Sequence, residues 1–140
     1  MVDEQKLKRP SVGVGVFVWK DDKFLLGKRV GKHGHGTWSV PGGFLEYGED
    51  FAECAAREVM EETNVKIKNI RLYTTVNNVF HDENSHSITI FMFSDWAGGK
   101  PKITEPDKFV DIGWFDFKNL PQPLFLPVKQ LKKAKPELFK

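Results

Sequence analysis

One cysteine in 140 residues, Cys54, leaves no internal disulfide and no way to assemble a cysteine-based zinc site. No apolar run approaches the roughly 20 residues that a membrane helix needs. The N-terminal MVDEQKLKRP lacks the apolar stretch of a secretory signal, so a reducing, cytoplasmic location is expected. An excess of one charge is missing as well: the net charge is +2, too small to argue for nucleic acid or a membrane surface as a partner. The basic C-terminal KQLKKAKPELFK reads as a solvated helix end with its cations near the negative pole. Repeats, low-complexity tracts and convincing linkers are absent too. Residues 1–9 therefore read as a tail and residues 10–140 as a single domain.

What is present is an ordinary globular composition, 40% hydrophobic and 29% charged. VGVGVFVW (12–19) is apolar and β-branched, as in a strand buried on both faces, and KFLLGKR reads as its hairpin partner across KDD. VGKHGHG is a loop leading into a short strand, TWSVP. The proline and glycines of VPGGFLEYGE make that stretch a loop as well. VKIKNIRLYTTVNNVF alternates as one or two strands, SITIFMFSDW and VDIGWFDF read as further strands, and the tail closes on a short helix. Strands on both sides of one strong helix, plus a terminal helix, predict a mixed α/β layered domain.

That strong helix carries the chemistry. Glu49 and Asp50 suit its N-terminus, and Ala52, Ala55, Ala56 and Val59 recur at helical spacing as its expected apolar stripe. Glu58, Glu61 and Glu62 crowd into two turns and are expected on the roughly opposite face, pointing away from the core. Like charges at this spacing repel by a few tenths of a kcal/mol, roughly, per pair. A solvated acidic face usually mixes in lysines, whereas only Arg57 interrupts this one. A divalent cation would relieve the repulsion, and hard carboxylate oxygens suit Mg²⁺ or Mn²⁺ bound with substrate phosphates.

The segment from Gly43 to Val65 resembles the signature of the Nudix hydrolases, G-x5-E-x7-R-E-U-x-E-E-x-G-U with U aliphatic. Gly43, Glu49, Arg57-Glu58-Val59, Glu61-Glu62 and Val65 fill its fixed places, and Asn64 stands where the family has glycine. Asn tolerates left-handed backbone, so a helix-ending turn survives the change. The resemblance implies an α/β/α sandwich with a mixed sheet, one catalytic helix and a C-terminal helix. It further implies metal-dependent hydrolysis of a nucleoside diphosphate linked to another group. Carried over by position, Glu58, Glu61, Glu62 and the carbonyl of Gly42 are the metal ligands. Glu58 or Glu61 would orient or deprotonate the attacking water, and Arg57 and Glu49 would hold the ligands in place.

Outside the signature, RPSVGVGVFV, LLGKR, VNNVF, SITIFM, EPDKF and GWFDFKNLPQPLF resemble animal and plant cytosolic members that cleave nucleoside triphosphates, sometimes oxidised ones, to monophosphate and pyrophosphate. By that resemblance Arg29 is a phosphate contact, Gly43 and Phe44 border the substrate, and Thr89 and Phe125 form the base pocket. A homodimer is implied on the same ground. Leu126 and Pro127 depart from the Trp and Gly of similar members, and Phe44 from their His, so the reaction is better specified than the substrate. Glu105 stands where some members supply a further glutamate, with loop solubility as the plainer explanation. His33, His35, His81 and His86 read as loop histidines and Cys54 as a packing residue. Two alternatives stay open: the same chemistry on ADP-ribose, a dinucleoside polyphosphate or a pterin triphosphate, and a non-catalytic nucleotide-sensing module.

Overall fold

A computed structural model describes residues 8–140; residues 1–7, most of the expected tail, lie outside the described residues. The elements in chain order are β1 (Ser11–Lys20), β2 (Lys23–Arg29), β3 (Trp38–Ser39), β4 (Gly42–Phe44), α1 (Phe51–Thr63), β5 (Lys66–Phe80), β6 (Ser85–Gly98), β7 (Phe109–Phe115) and α2 (Leu126–Ala134). Strands run in the order β3-β2-β1-β6-β5, with β4 pairing to β1 and β7 to β2. The β1–β6 pair is parallel and the others are antiparallel, which makes the sheet mixed.

The two faces of β1 explain the layers. Val14, Val16 and Val18 point to one side and bury against Cys54, Ala55 and Val59 of α1. Phe17 points to the other side and packs with Phe91, Val76 and Leu131 of α2. Alternation with period two on a strand covered on both faces thus yields helix, sheet and helix. The expected sandwich is the observed fold.

Several local expectations need correction. Gly42–Phe44 is a strand, because the glycine pair lets β4 lie against β1 with Val14 opposite Gly43 and Gly15 opposite Gly42. A Cβ on Gly42 would overlap the carbonyl oxygen of Val14 and come within 3.0 Å of the Gly15 Cα, so no side chain fits there. Of the stretch expected as one or two strands, Lys66–Phe80 form one, β5, whose pairing to β6 shifts register at three places.

On α1, Ala56 is exposed, and the buried residues are Cys54, Ala55, Glu58, Val59, Glu62 and Thr63. Glu58 and Glu62 fall three and seven residues after Ala55, so helical geometry sets them on its face rather than opposite it. They are 5% and 3% exposed, and the expectation that they point away from the core fails. The helix ends are as expected. The Asp50 side chain accepts from the Glu53 amide, and Asn64 adopts left-handed backbone with φ 62° while its amide donates to the Met60 carbonyl.

Candidate active site

A cleft of about 520 Å³ opens where β1, β4, β6 and α1 meet. Gly13 and Gly15 of β1 leave its floor low, with Ser87 and Thr89 of β6 beside them. Gly13 pairs with Thr89 on one side and with Phe44 on the other. The two flanking residues are therefore about two strand spacings, roughly 10 Å, apart. Arg29, Gly42, Gly43, Phe44, Thr89 and Phe125 all line the cleft, as do Arg57, Glu58, Glu61 and Glu62. Of the residues expected from sequence, Glu49, bonded to Arg57, stands outside it, as does Glu105.

Arg57 organises the acidic end. Its Nε and Nη2 donate to the two carboxylate oxygens of Glu49 at 2.7 and 3.0 Å, a bidentate pair. Its Nη1 donates to Glu58 Oε1 at 2.7 Å and to Glu61 Oε2 at 3.3 Å. The Glu49 carboxyl is held down at about 2 by the hydrogen bonds from Arg57, and the arginine is pushed up in turn. The crowding of α1 is thus relieved first by its own arginine.

The carboxylates deepest in the cleft lean the other way. Burial raises Glu58, against the lowering effect of Arg57. Burial also pushes Glu62 up to about 8, opposed by the Gly42 amide, which donates to its Oε1 at 2.8 Å, and by the charge of Lys108. Glu58 Oε2 is buried with no hydrogen-bond partner, and so is Oε1 of Glu105. The glycine at 43 has a steric cause: a Cβ there would sit 2.5 Å from both carboxylate oxygens of Glu58.

The segment after β6 closes this end. The Thr104 hydroxyl donates to the Glu61 carbonyl, and the Lys102 amide donates to the Thr63 carbonyl at 3.1 Å. These ties bring Glu105 and Lys108 close enough for their charges to act on Glu62. Among the described residues, no three His, Cys, Asp or Glu side chains converge as a ready-made coordination shell. The donor set nevertheless suits a hard divalent cation: every group is an oxygen, one oxygen of Glu58 is buried and unpaired, and Glu62 is buried with a raised proton affinity.

The far end of the cleft is aromatic. The Arg29 guanidinium lies 4.0 Å from the Phe125 ring centroid, and Arg29 Nε donates to the His33 carbonyl. The His33 ring packs on Phe80 at 4.4 Å and edge-on to Phe125 at 5.3 Å. Its Nδ1 pairs with Glu83, so this loop histidine has an acidic partner that sequence spacing did not indicate. Phe125 is only 8% exposed, with Arg29 across its ring. Burial lowers the Arg29 pKa, with Glu62 and Glu83 acting against that shift. Phe80, His33 and Lys108 were missed from sequence. A signal existed for Phe80, since Val76, Asn78 and Phe80 alternate toward one face of β5.

The NUDIX domain family matches residues 9–138. The chain belongs to the NUDIX family. Among curated relatives it is 35% identical over 123 residues to an ADP-ribose pyrophosphatase of Methanocaldococcus jannaschii, covering 88% of this chain and 72% of that protein. It is 38% identical over 108 residues to the NAD-capped RNA hydrolase NudC of Vibrio atlanticus. That match covers 76% of this chain but only 37% of the relative. Among solved structures, a MutT NUDIX hydrolase from Burkholderia pseudomallei superposes with a TM-score of 0.81 at 28% identity, covering 89% of this chain and 99% of that one. The NUDIX domain of Shewanella oneidensis NrtR complexed with ADP ribose shares the fold, with a TM-score of 0.74 at 24% identity over 98% of this chain and 94% of that one.

Proposed function

We propose that the chain is a divalent-metal-dependent pyrophosphohydrolase of a nucleoside diphosphate linked to a further group, of the ADP-ribose or dinucleotide kind. The observation that carries this reading is a single cleft with buried carboxylates at one end and an arginine-aromatic cluster at the other. Its roughly 520 Å³ suits a nucleotide-sized ligand. The names of the relatives favour this alternative over the triphosphate expected first from sequence. Hydrolysis of a nucleoside triphosphate to monophosphate and pyrophosphate is the second reading, carried by the resemblance of the sequence outside the signature.

Glu58, Glu61, Glu62 and the Gly42 carbonyl would hold Mg²⁺ or Mn²⁺, which when bound neutralises phosphate oxygens and lowers the pKa of water. Arg57 fixes the Glu58 rotamer through Oε1 and leaves Oε2, buried and unpaired, to face the cation. Arg29 offers positive charge to the diphosphate, and the aromatic end receives the planar base.

Purified protein with Mg²⁺ is incubated with ADP-ribose, NAD, ATP and 8-oxo-dGTP, and the products are resolved. AMP with ribose 5-phosphate supports the first reading, and a monophosphate with pyrophosphate supports the second. No turnover of any substrate, with nucleotide still bound, leaves a sensing module. Glu58→Gln lowers turnover by about 10²–10⁴-fold if the assignment holds. Sedimentation tests the proposed homodimer.

A further inference from the structure

Asn78, on β5, is fully buried and belongs to none of the machinery above. Its Nδ2 donates to the Thr89 hydroxyl at 2.9 Å and to the Ser87 hydroxyl at 3.3 Å. Its Oδ1 is buried with no partner. Ser87 and Thr89 both line the cleft, and Asn78 does not. The register puts Asn78 opposite Ser87 and Val76 opposite Thr89, so all four side chains share the face that carries Phe80.

A hydroxyl has one donor and two acceptor sites. An amide nitrogen with two N–H groups, each directed at one of these oxygens, takes an acceptor site on each. It thereby frees both O–H groups to turn toward the cleft. The opposite amide orientation would leave two N–H donors buried and unpaired, in place of one carbonyl oxygen, and buried N–H orphans are the rarer of the two.

We infer that Asn78 is a positioning residue that sets the polarity of the cleft floor: through it, Thr89 and Ser87 present donors, and the site selects a ring edge that carries an acceptor. This rests on the proposed function, since it assigns the hydroxyls to the planar base of the nucleotide. The chemistry selected is a ring nitrogen or carbonyl oxygen on the base edge that faces β6.

The test compares wild type with Asn78→Asp, Asn78→Leu, Thr89→Val and Thr89→Ser on whichever nucleotide the wild type cleaves best. Deaza analogues of that nucleotide are run alongside. In Asn78→Asp the carboxylate accepts from both hydroxyls and withdraws their donors, so KM rises about tenfold, the worth of one hydrogen bond, while kcat stays within about twofold. Thr89→Val raises KM similarly and Thr89→Ser restores it. Adding Asn78→Asp to Thr89→Val has less effect than Asn78→Asp alone, because the Thr89 hydroxyl is already gone. One deaza analogue binds wild type poorly, and Asn78→Asp no longer discriminates against it. Should Asn78→Asp fail to fold, Asn78→Leu decides: its unheld hydroxyls narrow the discrimination between analogue and parent. A folded Asn78 variant with wild-type KM and discrimination overturns the inference, as does one that loses kcat with KM unchanged. A wild type that cleaves none of the nucleotides refutes the proposed function instead.

Discussion

Replacing Arg57 by alanine is the perturbation whose size the structure states best. The guanidinium holds Glu58 Oε1 at 2.7 Å, and the Glu58 side chain is only 7% exposed. With Oε2 already unpaired, the variant leaves a buried carboxylate with no hydrogen bond at all. A buried group left unsatisfied costs about 1–3 kcal/mol, and proton uptake by Glu58 keeps the loss within that range. The pair with Glu61, whose side chain is 51% exposed, adds no more than about 0.5 kcal/mol. A total of about 1–3.5 kcal/mol corresponds to a fall in Tm of roughly 3–12 °C for a domain of this size. Arg57→Lys keeps the charge but loses the fork and recovers less than half of the deficit.

The Arg57 deficit also depends on pH. The folded pKa of Glu49 is depressed to about 2 by Arg57. Its stabilisation is therefore complete above about pH 4.5 and fades as pH falls toward 2. The gap between wild type and Arg57→Ala accordingly narrows on acidification. Thermal melts in EDTA from pH 7 to pH 3.5 measure it. A variant melting within 2 °C of wild type, or a gap that does not change with pH, refutes the arginine as the organiser of the acidic end.

Gly43→Ala drives a methyl into the Glu58 carboxylate; denaturant titration should show a loss of about 1–3 kcal/mol that largely disappears in a Glu58→Ala background. Glu62, raised to about 8 by burial, binds its proton more tightly folded than unfolded. Its contribution to metal-free stability is thus full below about pH 4.5 and is lost as pH rises toward 8. By the same linkage Mg²⁺ affinity climbs over that interval with proton release, seen by calorimetry in buffers of different ionisation enthalpy and absent in Glu62→Gln. At the end of α1, where Asn64 has φ 62°, Asn64→Ala lowers stability by about 1 kcal/mol and Asn64→Gly does not, by thermal melt.

Sequence determined what is local. Asp50 and Asn64 cap α1 through side-chain and backbone preferences that operate within a few residues. The valines of β1 alternate with Gly13, Gly15 and Phe17, and that period specifies a strand with two different faces whatever packs on it. The identity and spacing of Glu49, Arg57, Glu58, Glu61 and Glu62 are covalent facts, and the family signature needs nothing else.

Tertiary structure decided what meets those carboxylates, because β4 packs against Glu58 and Glu62 and the segment carrying Glu105 and Lys108 brings its charges to Glu62. It also decided that Gly43 is required by Glu58, that His33 meets Glu83, and that Asn78 donates to Thr89. Each of these depends on which strands become neighbours. Pairing brings together residues tens of positions apart, and no pattern of period two or 3.6 records the partner.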